Sequence, residues 1–240
     1  MSAPDTLDDV AAALGTNHRG ALPAAVLWDM DGTLIDTEPL WMAAEIELVA
    51  AHGGVWTSEQ AVSLIGSPMS VATRVLADAG VPLPPAEIVA YLNGRVRDGV
   101  AADTPWRAGA REALELLVGA GVPLALVTSS HRELAEPFAR IAGVFDLVVA
   151  GDEVTSNKPD PEPYTLAAAR LGVDPRLCVA VEDSRAGVAS ALASGARTIA
   201  VDGHQTLEDR RGLSRVPALD VLTLDVLARI SAGETLDLRP

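Results

Sequence analysis

The chain of 240 residues carries a single cysteine, a single lysine, two tyrosines and two phenylalanines. One cysteine, Cys178, cannot form an internal disulfide, which agrees with the reducing cytoplasm in which the chain is expected to reside; in its apolar run it reads as a core residue. Long apolar runs are missing as well. VPLALV from Val122 and LCVAV from Leu177 fall far short of the roughly 20 residues that cross a bilayer, so no membrane segment is expected. The first twenty residues place Asp5, Asp8 and Asp9 ahead of any basic residue and contain no apolar core, so they do not read as a secretory signal. Positive charge is scarce: 18 Lys and Arg face 33 Asp and Glu, for a formal charge of -15. That balance disfavours a nucleic-acid or anionic-membrane partner, because a polyanion is repelled over most of the surface. The scarcity of lysine is the most pointed of these absences. Seventeen of the 18 basic residues are arginine, and Lys158 is the lone exception. An ammonium is a compact point charge and a guanidinium a wide planar fork, so a tight site can demand Lys where Arg does not fit.

What is present is ample apolar material, 49% of residues, enough for a sizeable core. Five short apolar runs end in polar clusters: AAVLWD from Ala24, VPLALVTSS, VFDLVVAGDE, LCVAVEDS and ARTIAVDG. Each reads as a buried strand. Between them AGAREALELLVGAG, RELAEPFARIAG, PEPYTLAAARLG and SRAGVASALASG have apolar positions three and four apart and Gly near their C-terminal ends, as helices do. Alternating strands and helices predict an α/β fold, an open parallel Rossmann-like sheet covered by helices on both faces through right-handed crossovers. One segment interrupts the alternation. From 39 to 104 four helical patterns follow one another without a strand, far more than the roughly 2 to 6 residues of an ordinary βα loop, and predict an inserted all-helical domain. The expected organisation is a peripheral N-terminal extension over 1–22, an α/β core over 23–38 and 105–240, and the helical insert over 39–104. The end after about Ser231 also reads as peripheral.

In an open parallel sheet, ligands bind beyond the carboxyl ends of the strands, where strand order reverses. Four polar clusters fall at such ends. The first, WDMDGTLIDTEP, sets Asp29 and Asp31 two apart with Gly32 to turn the backbone; alone it is also what a solvated turn looks like. Thr128 alone is a strand-end hydroxyl, Lys158 alone an exposed loop lysine, and Glu182 with Asp183 alone a helix-capping acidic pair. Their order along the chain carries the signal. DMDGTLIDTEPLW resembles the first signature of the haloacid dehalogenase (HAD) superfamily of phosphatases, of the helical-cap type that includes β-phosphoglucomutase and sugar phosphatases. Thr128 after LALV resembles the second, Lys158 in SNKPDPEPY the third, and Glu182–Asp183 in VEDSRAGV the fourth. The resemblance spans Ala24 to about Gly203. It implies that the first strand is central, between the strands bearing the second and fourth signatures, and that the insert is a cap over the site.

The resemblance and the needs of phosphoryl transfer together suggest roles. Asp29 is the expected nucleophile, forming an aspartyl phosphate, and Asp31 the proton donor and then acceptor, which calls for a carboxyl pKa raised towards working pH. Mg2+ is the expected cofactor, held by the carboxylates of Asp29 and Asp183 and, by resemblance, the Asp31 backbone carbonyl, with Glu182 beside the metal or joined to it through water. Lys158 and Thr128 supply charge and a donor to the phosphoryl oxygens. Gly32, Ser129 and Ser130 join them in phosphate binding; for Ser130 a helix N-cap role is an equal alternative. His131 and Arg132 can reach a distal group. Glu38, Trp41, Gly66, Met69, Arg74 and Trp106 are cap and hinge candidates; Trp41, Met42, Trp56, Met69 and Trp106 read as lining residues and equally as core of the cap or its hinge. A histidine metal site is not expected from His52 or His204.

The expected activity is hydrolysis of a small phosphate monoester, a sugar phosphate by resemblance, by a monomer. Two alternatives stand beside it. Hexose-phosphate mutases of this family have a His twelve residues after the nucleophile, where this chain has Trp41, and a phosphate-gripping Arg shortly after the Gly of the second cap helix, where it has Met69. Arg74, Arg95 or Arg97 remain as cations that can reach the cap's mouth. A catalytically silent phosphometabolite-binding protein is also compatible with the fold, which alone does not fix function; it predicts the erosion of a reacting residue, and every one is present.

Overall fold

The computed structural model describes residues 21–67 and 69–240, so all but the end of the expected N-terminal extension lies outside the described residues. Five strands form where the apolar runs predict them: β1 (Val26–Trp28), β2 (Leu124–Val127), β3 (Leu147–Val149), β4 (Val179–Glu182) and β5 (Arg197–Val201). Neighbouring strands are all parallel, in the order β3-β2-β1-β4-β5-β6. β1 is therefore central, between the strands that carry the second and fourth signatures. β1, β2 and β4 are wholly buried, which is why they read as continuous apolar runs rather than alternating ones.

Four helices follow β1 with no strand between them: α1 (Glu38–Ala51), α2 (Ser58–Val62), α3 (Met69–Asp78) and α4 (Pro85–Ala102). They bury an apolar cluster of their own, including Leu48, Trp56, Leu76, Ile88 and Leu92. α2 is shorter than its sequence pattern; a capping box between Thr57 and Gln60 starts it, and the chain passes into turns before Gly66. The remaining helices are α5 (Ala110–Gly119), α6 (Arg132–Ala142), α7 (Glu162–Leu171), α8 (Arg185–Ser194) and α9 (Leu224–Ser231). Two apolar clusters lie on the two faces of the sheet. One joins Trp28, Leu117 and Phe138, the other Leu27, Tyr164 and Ala180.

Two expectations need correction. A sixth strand, β6 (Leu213–Val216), extends the sheet, although LSRV places two polar residues in a four-residue run. Most of their polar atoms find partners nearby, although Arg215 Nε is buried without one among the described residues. Arg215, 6% exposed, donates to the Leu207 carbonyl at 3.1 Å and to Asp209 at 3.0 Å, and the Ser214 hydroxyl accepts from the Leu236 N–H. The end after Ser231 is likewise not peripheral. The Arg215 backbone N–H donates to the Leu236 carbonyl and its carbonyl accepts from the Leu238 N–H in a short ladder beside β6, and both leucines pack on the core.

Candidate active site

Sheet register assembles the site. Trp28 is level with Leu126 on one side and Val181 on the other, so Asp29, Val127 and Glu182 reach the carboxyl edge together. Thr128 and Asp183 are the next residues out, and Lys158 comes over from the loop between β3 and α7. All four signatures converge, although Asp29 and Asp183 are 154 positions apart in the numbering.

Lys158 is the hub. Its side chain is 4% exposed, and Nζ donates to Asp29 Oδ1 at 2.6 Å, Glu182 Oε1 at 2.7 Å and the Val127 carbonyl at 2.8 Å. An ammonium has three protons, and each has an acceptor here. Burial works against the charged ammonium, but the Asp29 and Glu182 carboxylates outweigh it and raise its pKa. The same oxygen of Glu182 accepts the Tyr164 hydroxyl at 2.6 Å, while Oε2 accepts the Ser184 hydroxyl at 3.2 Å. Glu182 is fully buried, and the first turn of α8 crosses so close to it that a Cβ on Gly187 would overlap its carboxylate. Glycine at 187 is what lets helix and carboxylate coexist.

Asp29 is held at one oxygen only. Oδ2 is buried without a hydrogen-bond partner among the described residues. Burial, then repulsion from Glu182, pushes Asp29 up to about 7 against the pull of Lys158. Asp183, raised well above its usual range by burial and by repulsion from Asp29 and Glu182, accepts a bond from Thr33 at 3.4 Å. Gly32, at φ +85°, carries the chain past it where a Cβ would strike the Asp183 carboxylate. Asp29, Glu182 and Asp183 can each place one oxygen within 4.8 Å of the others. An unpartnered buried carboxylate oxygen facing two more carboxylates is a donor set suited to a hard cation such as Mg2+, which takes oxygen ligands.

Asp31 has a different environment. Hydroxyls of Thr37 and Ser130 donate to it at 2.8 and 2.7 Å, and Thr128 lies at 3.4 Å. Burial raises its pKa although all three bonds oppose that rise. Thr37 occupies the N-cap position of α1 but makes no side-chain cap bond, its hydroxyl serving Asp31 instead. Ser130 is not an N-cap either: His131 holds that position for α6, and the Arg132 N–H is met by Asp152.

These groups open into a cavity of about 370 Å3 between the sheet edge and α1–α4. Of the cap and hinge candidates, Glu38, Trp41, Gly66 and Met69 line it, as do Met42 and Ser129. Others do not. Arg74 is exposed on α3, Arg95 pairs with Glu47, and Arg97 with Asp98 and Glu133. Trp56 belongs to the helical cluster, and Trp106 stacks on Phe138 at 5.2 Å beside the second crossing between insert and sheet. Arg132 is tied to Glu136 and Glu153 and does not line the cavity. Sequence reasoning missed Tyr164, Thr33, Thr37, Glu45 and Asn93. It also missed His204, which lines the mouth and meets Asp36 at 2.8 Å. Only Tyr164, Thr33 and Thr37 had a visible signal, since all three lie inside the signatures quoted above.

Comparison with known proteins agrees with this geometry. The family model for haloacid dehalogenase-like hydrolases matches residues 23–195. A phosphorylated carbohydrates phosphatase of Thermotoga maritima is 34% identical over 208 residues, covering 81% of this chain and 92% of its own length. Hexitol phosphatase B of Escherichia coli is 31% identical over 196 residues, 78% and 87% of the two chains. The crystal structure of CbbY from Rhodobacter sphaeroides in complex with phosphate superposes with a TM-score of 0.73 at 30% identity, covering 83% of this chain and 96% of that one. With four signatures gathered at one sheet edge and relatives of this similarity along most of its length, the chain belongs to the haloacid dehalogenase-like hydrolases and is a phosphoric monoester hydrolase.

Proposed function

We propose that the protein is a Mg2+-dependent phosphatase of a small sugar phosphate, working through a phosphorylated Asp29. The observation that carries this reading is the pairing of two unlike carboxyls at the cavity floor. Asp29 has one oxygen fixed by Lys158 and the other unpartnered, while Asp31 is steadied by three hydroxyls and has a raised pKa. Asp29 attacks phosphorus as the bond to the leaving oxygen breaks, and Asp31 gives that oxygen its proton. Asp31 then takes a proton from water, whose oxygen attacks phosphorus, breaking the bond to Asp29 and releasing inorganic phosphate. Lys158 and Thr128 face the phosphoryl oxygens, with Gly32, Ser129 and Ser130 around them. Asp29, Asp183 and the Asp31 backbone carbonyl would hold Mg2+, which supplies the positive charge that lets a carboxylate approach a dianionic ester. Glu182, engaged by Lys158 and Tyr164, orients Lys158 beside that metal position.

The division at 39 and 105 into cap and core belongs to the same reading. Its support is the separate apolar cluster of α1–α4, and Trp41, which touches both clusters, marks the crossing. Hydrolysis is favoured over a mutase because Lys158 is the only Lys or Arg lining the cavity among the described residues, so a second phosphate would find no cation on the cap side. The test is phosphate release from about thirty phosphorylated metabolites, with Mg2+ and with chelator, in wild type and Asp29→Asn. Release that disappears in the variant and with chelator is expected. Conversion of sugar 1-phosphates to 6-phosphates without release would move the assignment to a mutase.

A further inference from the structure

The cap half of the cavity holds polar groups for which phosphoryl transfer has no use. Glu45, on α1, is 5% exposed; its Oε2 accepts the Trp56 indole N–H at 3.3 Å, and its Oε1 has no hydrogen-bond partner among the described residues. Asn93, on α4, is 8% exposed, and its carboxamide has no partner at all among the described residues. Both side chains line the cavity, and the helices that carry them pack against each other. Around them the wall is apolar, with Trp41, Met42, Leu64 and Met69.

Neither free group is sealed in the wall; each opens onto the cavity, where no protein atom among the described residues pairs with it. Leucine at 93 would complete the apolar wall, so the carboxamide is explained by something polar that enters and pairs with it. The indole contact accounts for one oxygen of Glu45 and leaves the other open to the cavity. Burial also pushes Glu45 up to about 7, an environment in which its carboxyl can either accept or donate. Charge narrows what can enter. Glu38 is a second carboxyl on the cap side, and all three Lys158 protons already have acceptors.

We propose that Glu45 and Asn93 form a subsite that reads the hydroxyls of an uncharged, polyhydroxylated leaving group, so that the enzyme selects sugar or polyol monophosphates and rejects bisphosphates. This rests on the phosphatase reading above. Hydroxyls both donate and accept, which matches a carboxyl oxygen and a carboxamide lining one cavity. A site built to hydrogen-bond a hydroxyl rejects the analogue lacking it, because its own groups are then left unpaired.

The experiment compares kcat/KM for a hexitol 6-phosphate and for hexyl phosphate, which differ in the hydroxyls alone, in wild type, Glu45→Gln and Asn93→Leu. A hexitol 1,6-bisphosphate serves as the charged competitor. Wild type should prefer the hexitol monophosphate to hexyl phosphate, and each variant should lower that preference ratio by about 10–100-fold, the size of a lost buried hydrogen bond or two. The bisphosphate should be about tenfold or more poorer than the monophosphate. Because the ratio is internal to each variant, a partial loss of folded protein cancels from it. A ratio unchanged in both variants, or a bisphosphate turned over as well as the monophosphate, would overturn the subsite. Asp29-dependent hydrolysis of p-nitrophenyl phosphate, whose leaving group has no hydroxyl to read, reports on the phosphatase reading separately. Its presence with an unchanged ratio sinks the subsite alone, and its absence sinks both.

Discussion

The two ends of the cavity bury carboxyl groups under opposite regimes. At the sheet end, Asp29, Asp31, Glu182 and Asp183 meet Lys158, Tyr164 and the hydroxyls of Thr33, Thr37, Thr128, Ser130 and Ser184. At the helical end, Glu45 has one indole donor and Asn93 none. Strand register fixes the strand-end members of the first set, because neighbouring strands have no freedom to slide once their buried faces match. Packing of α1 on α4 fixes the second and leaves polar atoms open. Reaction chemistry is over-determined by the sheet, while recognition is left to whatever fills the helical half, an arrangement that lets one reaction serve many leaving groups.

The strongest way to break this contrast is at the hub. Lys158→Ala should lower kcat by about 10²–10³-fold, as loss of one preorganised charge does, and Lys158→Arg should not rescue it, because a planar guanidinium cannot reach three acceptors arranged around a point. Steady-state kinetics on any accepted ester check both variants. Full activity in the arginine variant would show that the sheet end is more tolerant than its geometry implies. A smaller effect is expected from the helical cluster. Leu76→Ala, at a fully buried position, should cost about 2–5 kcal/mol, as should Leu117→Ala beneath the sheet. Denaturant unfolding followed by tryptophan fluorescence tells whether the insert melts as its own unit. A first transition shifted in Leu76→Ala but not in Leu117→Ala is expected, and one shared transition moved equally by both would make insert and sheet a single cooperative body.

The same contrast governed what the sequence disclosed. Buried parallel strands need unbroken apolar runs, and four reacting positions need fixed residue types at their ends, so β1 to β5 and the site from Asp29 to Asp183 were legible before any coordinates. β6 was not, because Arg215 and Ser214 make its run look like a loop until Asp209, Leu207 and Leu236 are seen to pair with them. The cap was legible as helices but not as a lining. Helical periodicity gives a buried stripe without saying whether it faces other helices or a cavity, so the sequence leaves Trp56 and Trp106 open between lining and core. Glu45 and Asn93, set among apolar neighbours, passed unnoticed.

The finest test uses two carboxyls with the same displaced pKa and different fates. Asp29 at the sheet end and Glu45 at the helical end are both pushed to about 7, chiefly by burial, from 3.8 and 4.5. Between those values and about 7 the native protein binds protons that the unfolded chain has released, so each raised pKa contributes stability at low pH that is lost as pH rises through 7. Metal-free protein should therefore lose stability from about pH 5 to pH 8, on the order of 1–3 kcal/mol for each group. Mg2+ competes with the proton at Asp29 and at Asp183 and is not placed to reach Glu45 on the cap, so adding it should flatten the share of the slope that those two carboxyls carry, part of which Asp29→Asn also removes. Of the remainder, which Asp31 and Glu38 share because burial raises them too, the part that belongs to Glu45 should persist in Mg2+ and vanish in Glu45→Gln. Denaturation midpoints at four pH values, with Mg2+ and with chelator, separate the two shares. If Mg2+ abolishes the whole slope, the helical end does not titrate independently and the two ends of the cavity are one electrostatic unit; if Glu45→Gln still lowers the slope in Mg2+, the two ends of the cavity are separately built.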